Sequence, residues 1–476
     1  MELAGGSTRF LAPDTRQDGG WRDAVLDATP LCFVHLPKTG GASVGRWLES
    51  QFDSHAACPA WNPEDFELLG PERVQEYQLW RGHLVGKQLA RLEGSFDLFT
   101  LLRDPVSRIH SAYRWLRGID SEYWRQAEAD ARSRGEEVAS SPEQRDAAAR
   151  MMELAARLSL QEFVTCDDPV VRLWTENLTV TQLDPCFEGN EKAPRGESAE
   201  TDRAGFLAAS RVLRSCRVVG VLENLDQALE LLCAARAWAA APRLPNIHRT
   251  ASEEIELDES TAAAVRARNA FDLALFCYAR LRAQAEYMLL VQEAGGREAV
   301  RRYLDERHRV AFFARAVSGE GFELDAERAW PGCGWGLREY DDRPQYWRWL
   351  GETGSASILA KIEPSRDCLL TLWLHTLSDD GLHEALEASV GGQPLVSAGG
   401  GFSRGRCYRD WVIPAERLAS VAGDVEIRFS LPTQAVAGGA RAAASAVCCR
   451  PWDGDPNRPE IRAQRWLHRW VQGPLR

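Results

Sequence analysis

Short apolar runs alternate with helix-like patterns in the first part of the chain. The runs at 31–35, 97–102 and 216–222 are hydrophobic at almost every position, which is typical of strands buried on both faces of a parallel sheet. Between these runs, apolar residues recur with the helical period, as they do at Ile109 and Tyr113. We therefore predict an α/β domain with a mainly parallel sheet.

After Gly319 the pattern changes to an alternation of single apolar and polar positions. At 425–431, apolar residues alternate strictly with polar ones, which indicates a half-buried strand. Further strand candidates, separated by Gly, Pro, Asp and Ser turns, lie at 346–352, 357–362, 368–376 and 406–413. Several short strands at close spacing predict a smaller, antiparallel β-sandwich domain.

These patterns divide the chain into five parts. We predict an N-terminal extension at 1–28, an α/β domain at 29–285, a helical connector at 286–318, a β-sandwich domain at 319–452 and a Trp- and Arg-rich tail at 453–476.

Composition narrows the classes of function. The 476 residues carry a formal net charge of -12 without a long basic block, which argues against a nucleic-acid partner. Twelve cysteines occur without a CxxC pair or a His–Cys cluster, so we predict neither a disulfide framework nor a metal site. No apolar stretch is long enough to span a membrane, and the N-terminus lacks a signal-peptide pattern. We expect a cytoplasmic protein whose basic amphipathic tail could contact a membrane surface.

The segment "HLPKTGGAS" has the character of an anion-binding loop. A strand that ends in a glycine turn and starts a helix directs backbone N–H groups and the helix dipole at one point. Gly40 and Gly41 allow close approach of a ligand, Lys38 supplies a cation, and Thr39 and Ser43 supply hydroxyl donors. In a Walker loop the lysine follows the glycines, whereas here it precedes them. The alternative is an ordinary strand-to-helix turn that needs glycines.

A second strand-to-helix junction lies in "LFTLLRDPVSRIHSAY". Asp104 is a suitable N-cap, and Pro105 occupies the first helical position. Arg103, at the end of the strand, has the geometry to fork onto a phosphate. Ser111 follows two turns along the helix, where its hydroxyl can reach the same group. Taken alone, such a junction is more often structural.

Together, "HLPKTGGAS" and "LLRDPVSRIHSAY" resemble the sulfotransferases that use 3′-phosphoadenosine 5′-phosphosulfate (PAPS). The resemblance is closest to the membrane-class carbohydrate sulfotransferases, a group that includes heparan sulfate 2-O-sulfotransferase. It extends over about residues 31–282 and implies a P-loop-type, three-layer fold for the domain at 29–285. By position it implies that the 5′-phosphosulfate is held by Lys38, Thr39, Gly40, Gly41, Ala42 and Ser43, and the 3′-phosphate by Arg103 and Ser111. Ala42 departs from the family, which more often has threonine there.

The segment "RGHLVG" is similar to the family's Gly-His segment, whose histidine is the proposed catalytic base. The resemblance therefore implies that His83 removes the proton of the acceptor hydroxyl and that Lys38 neutralises charge on the leaving phosphate. His35, just before the loop, is the competing histidine. The implied acceptor is a carbohydrate or glycoconjugate, and no metal is required.

Two other functions remain open from the sequence. The first is a non-catalytic glycan-binding protein with a degenerate sulfotransferase domain, in which the β-sandwich recognises the glycan. The second is an NTP-dependent P-loop kinase, which the position of Lys38 disfavours.

Overall fold

A parallel sheet forms the centre of the N-terminal half of the protein. The computed structural model describes residues 29–69, 73, 76–84, 86–91, 96–118, 142–185, 199–244, 257–340, 345–377, 382–403, 406–437 and 441–452. The predicted N-terminal extension and tail lie outside the described residues.

The strands of this sheet are β1 (Leu31–Val34), β2 (Leu79–Gly82), β3 (Asp97–Leu102) and β4 (Val218–Val221). They run parallel in the order β2-β1-β3-β4. The three strands predicted from apolar runs are confirmed. The strand β2 was not predicted, because its four residues include Arg81 and Gly82 and do not form a continuous apolar run.

Helices pack on both faces of this sheet. They are α1 (Gly41–Glu49), α2 (Pro63–Leu68), α3 (Gly86–Arg91), α4 (Pro105–Arg117), α5 (Pro142–Arg157), α6 (Leu160–Thr165), α7 (Pro169–Thr175), α8 (Leu178–Leu183), α9 (Ala199–Ser215), α10 (Leu225–Arg236), α11 (Glu259–Arg268), α12 (Ala270–Ala294) and α13 (Val300–Arg315). Leu31 and Phe33 pack with α1, α10 and part of α12, whereas Cys32 and Val34 pack with α9 and another part of α12. Successive residues of a strand point to opposite faces, so both faces of β1 are buried.

The helix α12 passes through the predicted domain boundary at 285 without a break. It ends at Gly295, which has a φ of 78°, the left-handed conformation that glycine adopts readily at a helix C-terminus. The helix α13 then leads to the first strand of the following region. The expected helical connector is therefore composed of the end of α12 and α13. Among the described residues, no helix combines the length and the apolar character needed to cross a membrane.

Antiparallel sheets form the β region, residues 319–452. The strands are β5 (Phe322–Asp325), β6 (Trp335–Tyr340), β7 (Tyr346–Leu350), β8 (Ser355–Lys361), β9 (Cys368–Leu377), β10 (Glu387–Val390), β11 (Gln393–Pro394), β12 (Val396–Ser403), β13 (Arg406–Ile413), β14 (Asp424–Ser430) and β15 (Ala442–Pro451). Short helices α14 (Leu382–Ala385), α15 (Ala415–Ser420) and α16 (Thr433–Ala437) connect some of them. The strand candidates of the sequence are confirmed as β7, β8, β9, β13 and β14.

The strands of the β region belong to two sheets. One sheet has the order β11-β10-β14-β8, and the other has β12-β13-β9-β15-β7-β6 with β5 paired to β15. Apolar residues of both sheets, among them Ile358, Ile427, Leu372 and Trp411, belong to one continuous core. The alternation of apolar and polar positions along each strand reflects this arrangement, because one set of side chains enters the shared core.

The β region contacts the C-terminal end of α1 through two buried arginines. Arg338 Nη1 donates to the carbonyl oxygen of Phe52 at 2.7 Å, and its Nη2 donates to that of Glu49 at 2.5 Å. Arg348 Nη2 donates to the carbonyl oxygen of Ser50 at 2.8 Å. The last carbonyls of a helix carry partial negative charge and lack partners within the helix. Arg338 and Arg348 therefore fix this end of α1.

Candidate anion-binding site

The predicted site residues lie at the carboxyl ends of the parallel strands. His35 directly follows β1, His83 follows β2 and Arg103 follows β3. A further charged residue, Glu223, lies two residues after β4. Parallel strands all present their carboxyl ends at the same edge of the sheet, where α/β proteins commonly bind ligands. Residues that are far apart in the sequence are therefore brought to one edge.

The loop between β1 and α1 has an unusual backbone. Lys38 has a φ of 66° and Gly40 a φ of 82°, both left-handed. Left-handed residues next to right-handed ones can turn successive N–H groups to the same side, as in anion-binding nests. Within the described part of the chain, no hydrogen bond is donated by the backbone N–H groups of Lys38, Thr39, Gly40, Gly41 and Ala42. The loop thus presents a series of unpaired donors at the start of α1.

Close packing accounts for both glycines of the loop. A Cβ atom on Gly41 would lie 1.8 Å from Cδ2 of His35, and one on Gly40 would lie 2.6 Å from Cδ1 of Leu222. The loop is therefore held between the ends of β1 and β4. Its glycines are required for packing, as the alternative interpretation of the sequence proposed. Packing does not account for the unpaired N–H groups of the loop.

The hydroxyl groups of the loop are less available than the sequence suggested. The Thr39 hydroxyl is buried and donates to the carbonyl oxygen of Leu36 at 2.8 Å. Because a hydroxyl has one proton to donate, Thr39 can offer an anion its backbone N–H group but no hydroxyl hydrogen in this conformation. Ser43 is buried in the first turn of α1, and the Ala42 side chain beside it is half-buried.

Arg103 contacts the loop directly. Its Nη1 donates to the carbonyl oxygen of Lys38 at 3.1 Å, and its other N–H groups donate to no further described residue. Burial lowers the pKa of Arg103, while the carboxylates of Glu223 and Asp104 oppose this change. The Glu223 carboxylate in turn accepts a hydrogen bond from the Asp104 N–H at 3.1 Å. Arg103 is thus oriented towards the loop, and its remaining N–H groups are unpaired among the described residues.

The helix α4 starts as the sequence predicted. The Asp104 carboxylate accepts a hydrogen bond from the Ser107 N–H at 2.9 Å, and Pro105 is the first helical residue. Ser111 lies two turns along this helix and is half-buried. A neighbouring arginine, Arg108, is fully buried and lies 3.9 Å from a carboxylate oxygen of Asp272, so it belongs to the core.

Lys38 is the second cation of the site. Burial, followed by the positive charge of Arg103, lowers the pKa of Lys38 to about 8. Its ammonium lies 4.8 Å from the centre of the Trp115 ring, a distance at which a cation is attracted to the ring face. Trp115 is 36% exposed, and its ring lies parallel to that of Trp174 at 6.4 Å. Lys38 and Arg103 bring two positive charges to this edge, and the carboxylates of Glu223 and Asp104 act on Arg103. The pair of cations favours an anionic ligand.

Two stacked histidines complete the site. The rings of His35 and His83 lie 4.2 Å apart, and Nδ1 of His83 lies 2.9 Å from the carbonyl oxygen of His35. A carbonyl only accepts, so Nδ1 of His83 carries the hydrogen, and Nε2 of the neutral ring has a free lone pair. Burial lowers the pKa of His83, and Lys38 lowers it further, whereas the bond to the His35 carbonyl raises it. His83 is therefore neutral near pH 7.

His35, the competing histidine, is the more deeply enclosed of the two. Burial and the charges of His83 and Lys38 hold its pKa well below the usual value. Its ring is stacked on Phe33 and fits against the position where Gly41 lacks a side chain. This environment indicates that His35 supports the loop and His83, rather than accepting a proton from a ligand.

Sequence reasoning missed the tryptophans of the site. Trp61 contributes its carbonyl oxygen to the His83 N–H at 2.7 Å and its ring edge to both histidines. Trp115 could have been found from its spacing, because it follows Ser111 by four residues on α4 and shares a helix face with it. Trp61 and Trp174 gave no signal, since only the tertiary fold brings their segments to the site.

Comparisons with known proteins do not identify a family. No protein-family model matches the sequence, and no curated protein matches it. Among solved structures, the chain is similar to BtGH115A, a family GH115 4-O-methyl-α-glucuronidase with specificity for decorated arabinogalactans, at 11% identity and a TM-score of 0.15. That match covers 65% of this chain and 39% of the other, so the chain spans about two fifths of that enzyme's length. A likeness this distant carries no argument about fold or activity.

Proposed function

We propose that the protein is a sulfotransferase that moves the sulfuryl group of PAPS to a hydroxyl of a carbohydrate or glycoconjugate. The observation that carries this proposal is the series of unpaired N–H groups from Lys38 to Ala42. Arg103 bonds to this loop, and His83 presents a free lone pair at the same edge of the sheet. A P-loop-type three-layer domain and a C-terminal β-sandwich are the finer fold assignments that go with it. A cytoplasmic location is part of the same proposal.

The loop fits the 5′-phosphosulfate of PAPS. The unpaired N–H groups from Lys38 to Ala42 would bind the anionic oxygens, and the dipole of α1 would add to the attraction. The ammonium of Lys38 would move from the Trp115 face to the bridging oxygen, where negative charge develops as the sulfur–oxygen bond breaks. Ser43 would bind the same group from the first turn of α1.

Arg103 fits the 3′-phosphate. It uses one N–H group to hold the loop at the Lys38 carbonyl oxygen, which leaves four donors of the guanidinium for a planar, bidentate contact. Ser111 lies on the helix that begins beside Arg103 and would donate its hydroxyl to the same phosphate. Because Arg103 contacts the loop and would also bind this phosphate, it would align the two ends of the co-substrate.

His83 would act as the base. The acceptor oxygen forms a bond to sulfur as the bond from sulfur to the phosphate oxygen breaks, and the hydroxyl proton passes to Nε2 of His83. The hydrogen bond from Nδ1 to the His35 carbonyl fixes the ring in the tautomer that this step needs. PAPS supplies an activated sulfuryl group whose leaving phosphate is already a stable anion, so the proposed reaction requires no metal.

The exposed Trp115 and the half-buried Trp174 beside it support a carbohydrate acceptor. Flat indole surfaces offer apolar area to the C–H faces of a sugar ring, while the indole nitrogen keeps a polar contact. The pair adjoins Lys38, so a sugar stacked there would lie beside the transferred group. Movement of Lys38 towards the phosphosulfate would uncover the Trp115 face.

The test is calorimetric binding of adenosine 3′,5′-bisphosphate to the full-length protein, compared with AMP, ATP with magnesium, and NAD. We expect saturable binding of the bisphosphate alone, and a rise in apparent stability of about 2.7 kcal/mol at about 100 Kd of ligand. Arg103→Ala should abolish binding, whereas Arg428→Ala, an exposed arginine of β14, should not. Binding of ATP with magnesium instead would favour a kinase, and no binding of any nucleotide would favour a glycan-binding protein.

A further inference from the structure

A small cavity lies where the α/β fold meets the β region, at the opposite end of α1 from the loop. Its volume is about 50 Å³, enough for a few water-sized groups. Its walls come from the end of α1, the segment after α10, helix α13 and strands β6 and β7. They include the indole rings of Trp47, Trp238, Trp330 and Trp335 and the side chains of His308 and Arg348.

Three buried polar atoms of these walls have no hydrogen-bond partner among the described residues. They are Nε1 of Trp238, Nε of Arg348 and Nε2 of His308. The three side chains are 3%, 3% and 6% exposed. By contrast, the indole nitrogens of Trp330 and Trp335 donate to the backbone carbonyls of Asp325 and Ser357. Buried polar groups are nearly always paired, so three unpaired atoms on side chains that line one cavity point to a polar occupant of that cavity.

Arg348 brings a buried positive charge to the cavity. Arg348 forms no ion pair with a carboxylate among the described residues, and a second buried arginine, Arg338, lies close to it. Two carboxylates act on the wall residues, Asp53 on Arg348 and Asp305 on His308. One oxygen of Asp53 accepts a hydrogen bond from the Ala329 N–H at 2.9 Å, and one oxygen of Asp305 accepts one from the Ala240 N–H at 2.9 Å. A buried charge without a partner is costly, and an anion in the cavity would provide the missing partner.

The tautomer of His308 specifies the ligand further. Its Nδ1 lies 2.9 Å from the carbonyl oxygen of Ala237, so Nδ1 carries the hydrogen. Burial lowers the pKa of His308, which keeps the ring neutral and leaves a lone pair on Nε2. The walls therefore offer two donors, from Trp238 and Arg348, and one acceptor, from His308.

We propose that this cavity binds a small oxyanion that carries its own O–H group, such as hydrogen phosphate. The anionic oxygens would accept hydrogen bonds from Trp238 Nε1 and Arg348 Nε, and the ligand O–H would donate to Nε2 of His308. Sulfate has no such hydrogen at neutral pH and would meet the His308 lone pair with an oxygen lone pair. The site is separate from the anion loop and does not depend on the sulfotransferase proposal.

The experiment is a calorimetric titration of inorganic phosphate, and separately of sulfate, into the Lys38→Ala/Arg103→Ala protein at pH 7.5. The double substitution removes the charges that would bind either ion at the loop. We expect saturable binding of phosphate with one site, and sulfate at least tenfold weaker. Glycolate compared with acetate tests the same O–H requirement in a carboxylate, and we expect glycolate to bind more tightly.

A pair of matched substitutions locates the site. In the same background, Trp238→Phe keeps an aromatic ring but removes the unpaired N–H, and phosphate affinity should fall at least tenfold. Trp80→Phe is the control, because Trp80 is another fully buried tryptophan with an unpaired Nε1, in a separate core cluster away from the cavity. Absence of saturable phosphate binding, equal affinity for sulfate and phosphate, or equal losses in the two variants would each overturn the proposal. The comparison of the two anions does not require either tryptophan variant to fold.

Discussion

The two ends of α1 lie in different surroundings, and they differ in how their backbone polar groups are paired. At the N-terminal end, the N–H groups of the loop from Lys38 to Ala42 have no partners among the described residues. At the C-terminal end, Arg338 and Arg348 from the β region donate to the carbonyl oxygens of Glu49, Ser50 and Phe52. One helix thus has an N-terminal end whose backbone N–H groups are unpaired and a C-terminal end whose carbonyl groups are paired by arginines of the β region.

This difference between the two helix ends assigns ligand binding to the N-terminal end and a contribution to stability to the C-terminal end. Carbonyl groups that are buried need partners in every state of the protein, and the β region provides them permanently. The loop N–H groups would serve the proposed co-substrate, which has to bind and leave. The contrast also indicates a structural role for the β region, because its arginines fix the C-terminal end of α1, the helix that follows the loop.

The largest expected effect is at the N-terminal end of α1. Lys38→Ala should reduce the rate of sulfuryl transfer about 10²–10³-fold, as removal of one group that stabilises developing charge typically does. The rate would be measured as transfer of labelled sulfate from PAPS to carbohydrate acceptors. The free energy of unfolding should change little, since Lys38 forms no ion pair with any described residue. A suitable control is Lys361→Ala, which removes a lysine paired with Asp424 in the β region. A rate within threefold of the unmodified protein would remove Lys38 from the reaction.

The next largest effect is expected at the C-terminal end of α1, where a substitution should lower the free energy of unfolding. Arg338→Ala removes the donors of three backbone carbonyl oxygens, those of Phe52, Glu49 and Glu327. We expect the free energy of unfolding to fall by about 3 kcal/mol, because buried groups lose charge-assisted hydrogen bonds. Urea denaturation followed by fluorescence measures it.

Arg428→Ala serves as the control for Arg338→Ala. Its side chain is 55% exposed and pairs with Glu426 at the surface, so the change in the free energy of unfolding should lie within about 0.5 kcal/mol. Affinity of the folded Arg338→Ala protein for adenosine 3′,5′-bisphosphate should fall less than tenfold. Equal losses of stability in the two variants would show that the C-terminal end of α1 does not need its arginine.

Much of the fold could be predicted from sequence because the signals are local. Continuous apolar runs identified β1, β3 and β4, and strict alternation identified β14. Asp104 and Pro105 identified the start of α4. The strand β2 escaped because its short sequence carries an arginine whose side chain bonds to Glu49 and to the Cys58 carbonyl oxygen. A strand stabilised by such tertiary contacts lacks the apolar pattern from which a strand is predicted.

The candidate site was only partly predictable. The sequence pointed to Lys38, His83 and Arg103, and the fold brings all three to one edge of the sheet. It could not reveal that the Thr39 hydroxyl is used within the loop, nor that His35 fixes the tautomer of His83 through its carbonyl oxygen. Both depend on distances between backbone atoms that no residue type encodes. The partners of Arg338 were equally hidden, since they lie about 290 residues away in the chain.

The pH dependence of kcat/KM should report two groups at the N-terminal end of α1. His83 must be neutral to accept a proton, and its pKa is lowered, so the rate should rise with pH through a value below 6.5. Lys38 must be charged, and its pKa is about 8, so the rate should decline as pH rises through that value. His83→Asn should lower the rate about 10²-fold and eliminate the acid limb. Survival of the acid limb in this variant would assign the base to another residue.

The smallest effect concerns Trp115 and the alkaline limb. The Trp115 ring lies 4.8 Å from the Lys38 ammonium and stabilises its charged form by about 0.5–1 kcal/mol at an exposed site. Trp115→Leu removes the ring, so the pKa of Lys38 should fall further and the alkaline limb should move down by about 0.4–0.7 pH units, at 1.36 kcal/mol per unit. Trp115→Phe keeps a weaker aromatic face and should move the limb less. Loss of an acceptor contact would change kcat/KM at every pH without moving the limb, so the limb position isolates the cation–ring contact. An unmoved limb in Trp115→Leu would mean that Lys38 does not rest on this ring in the free protein.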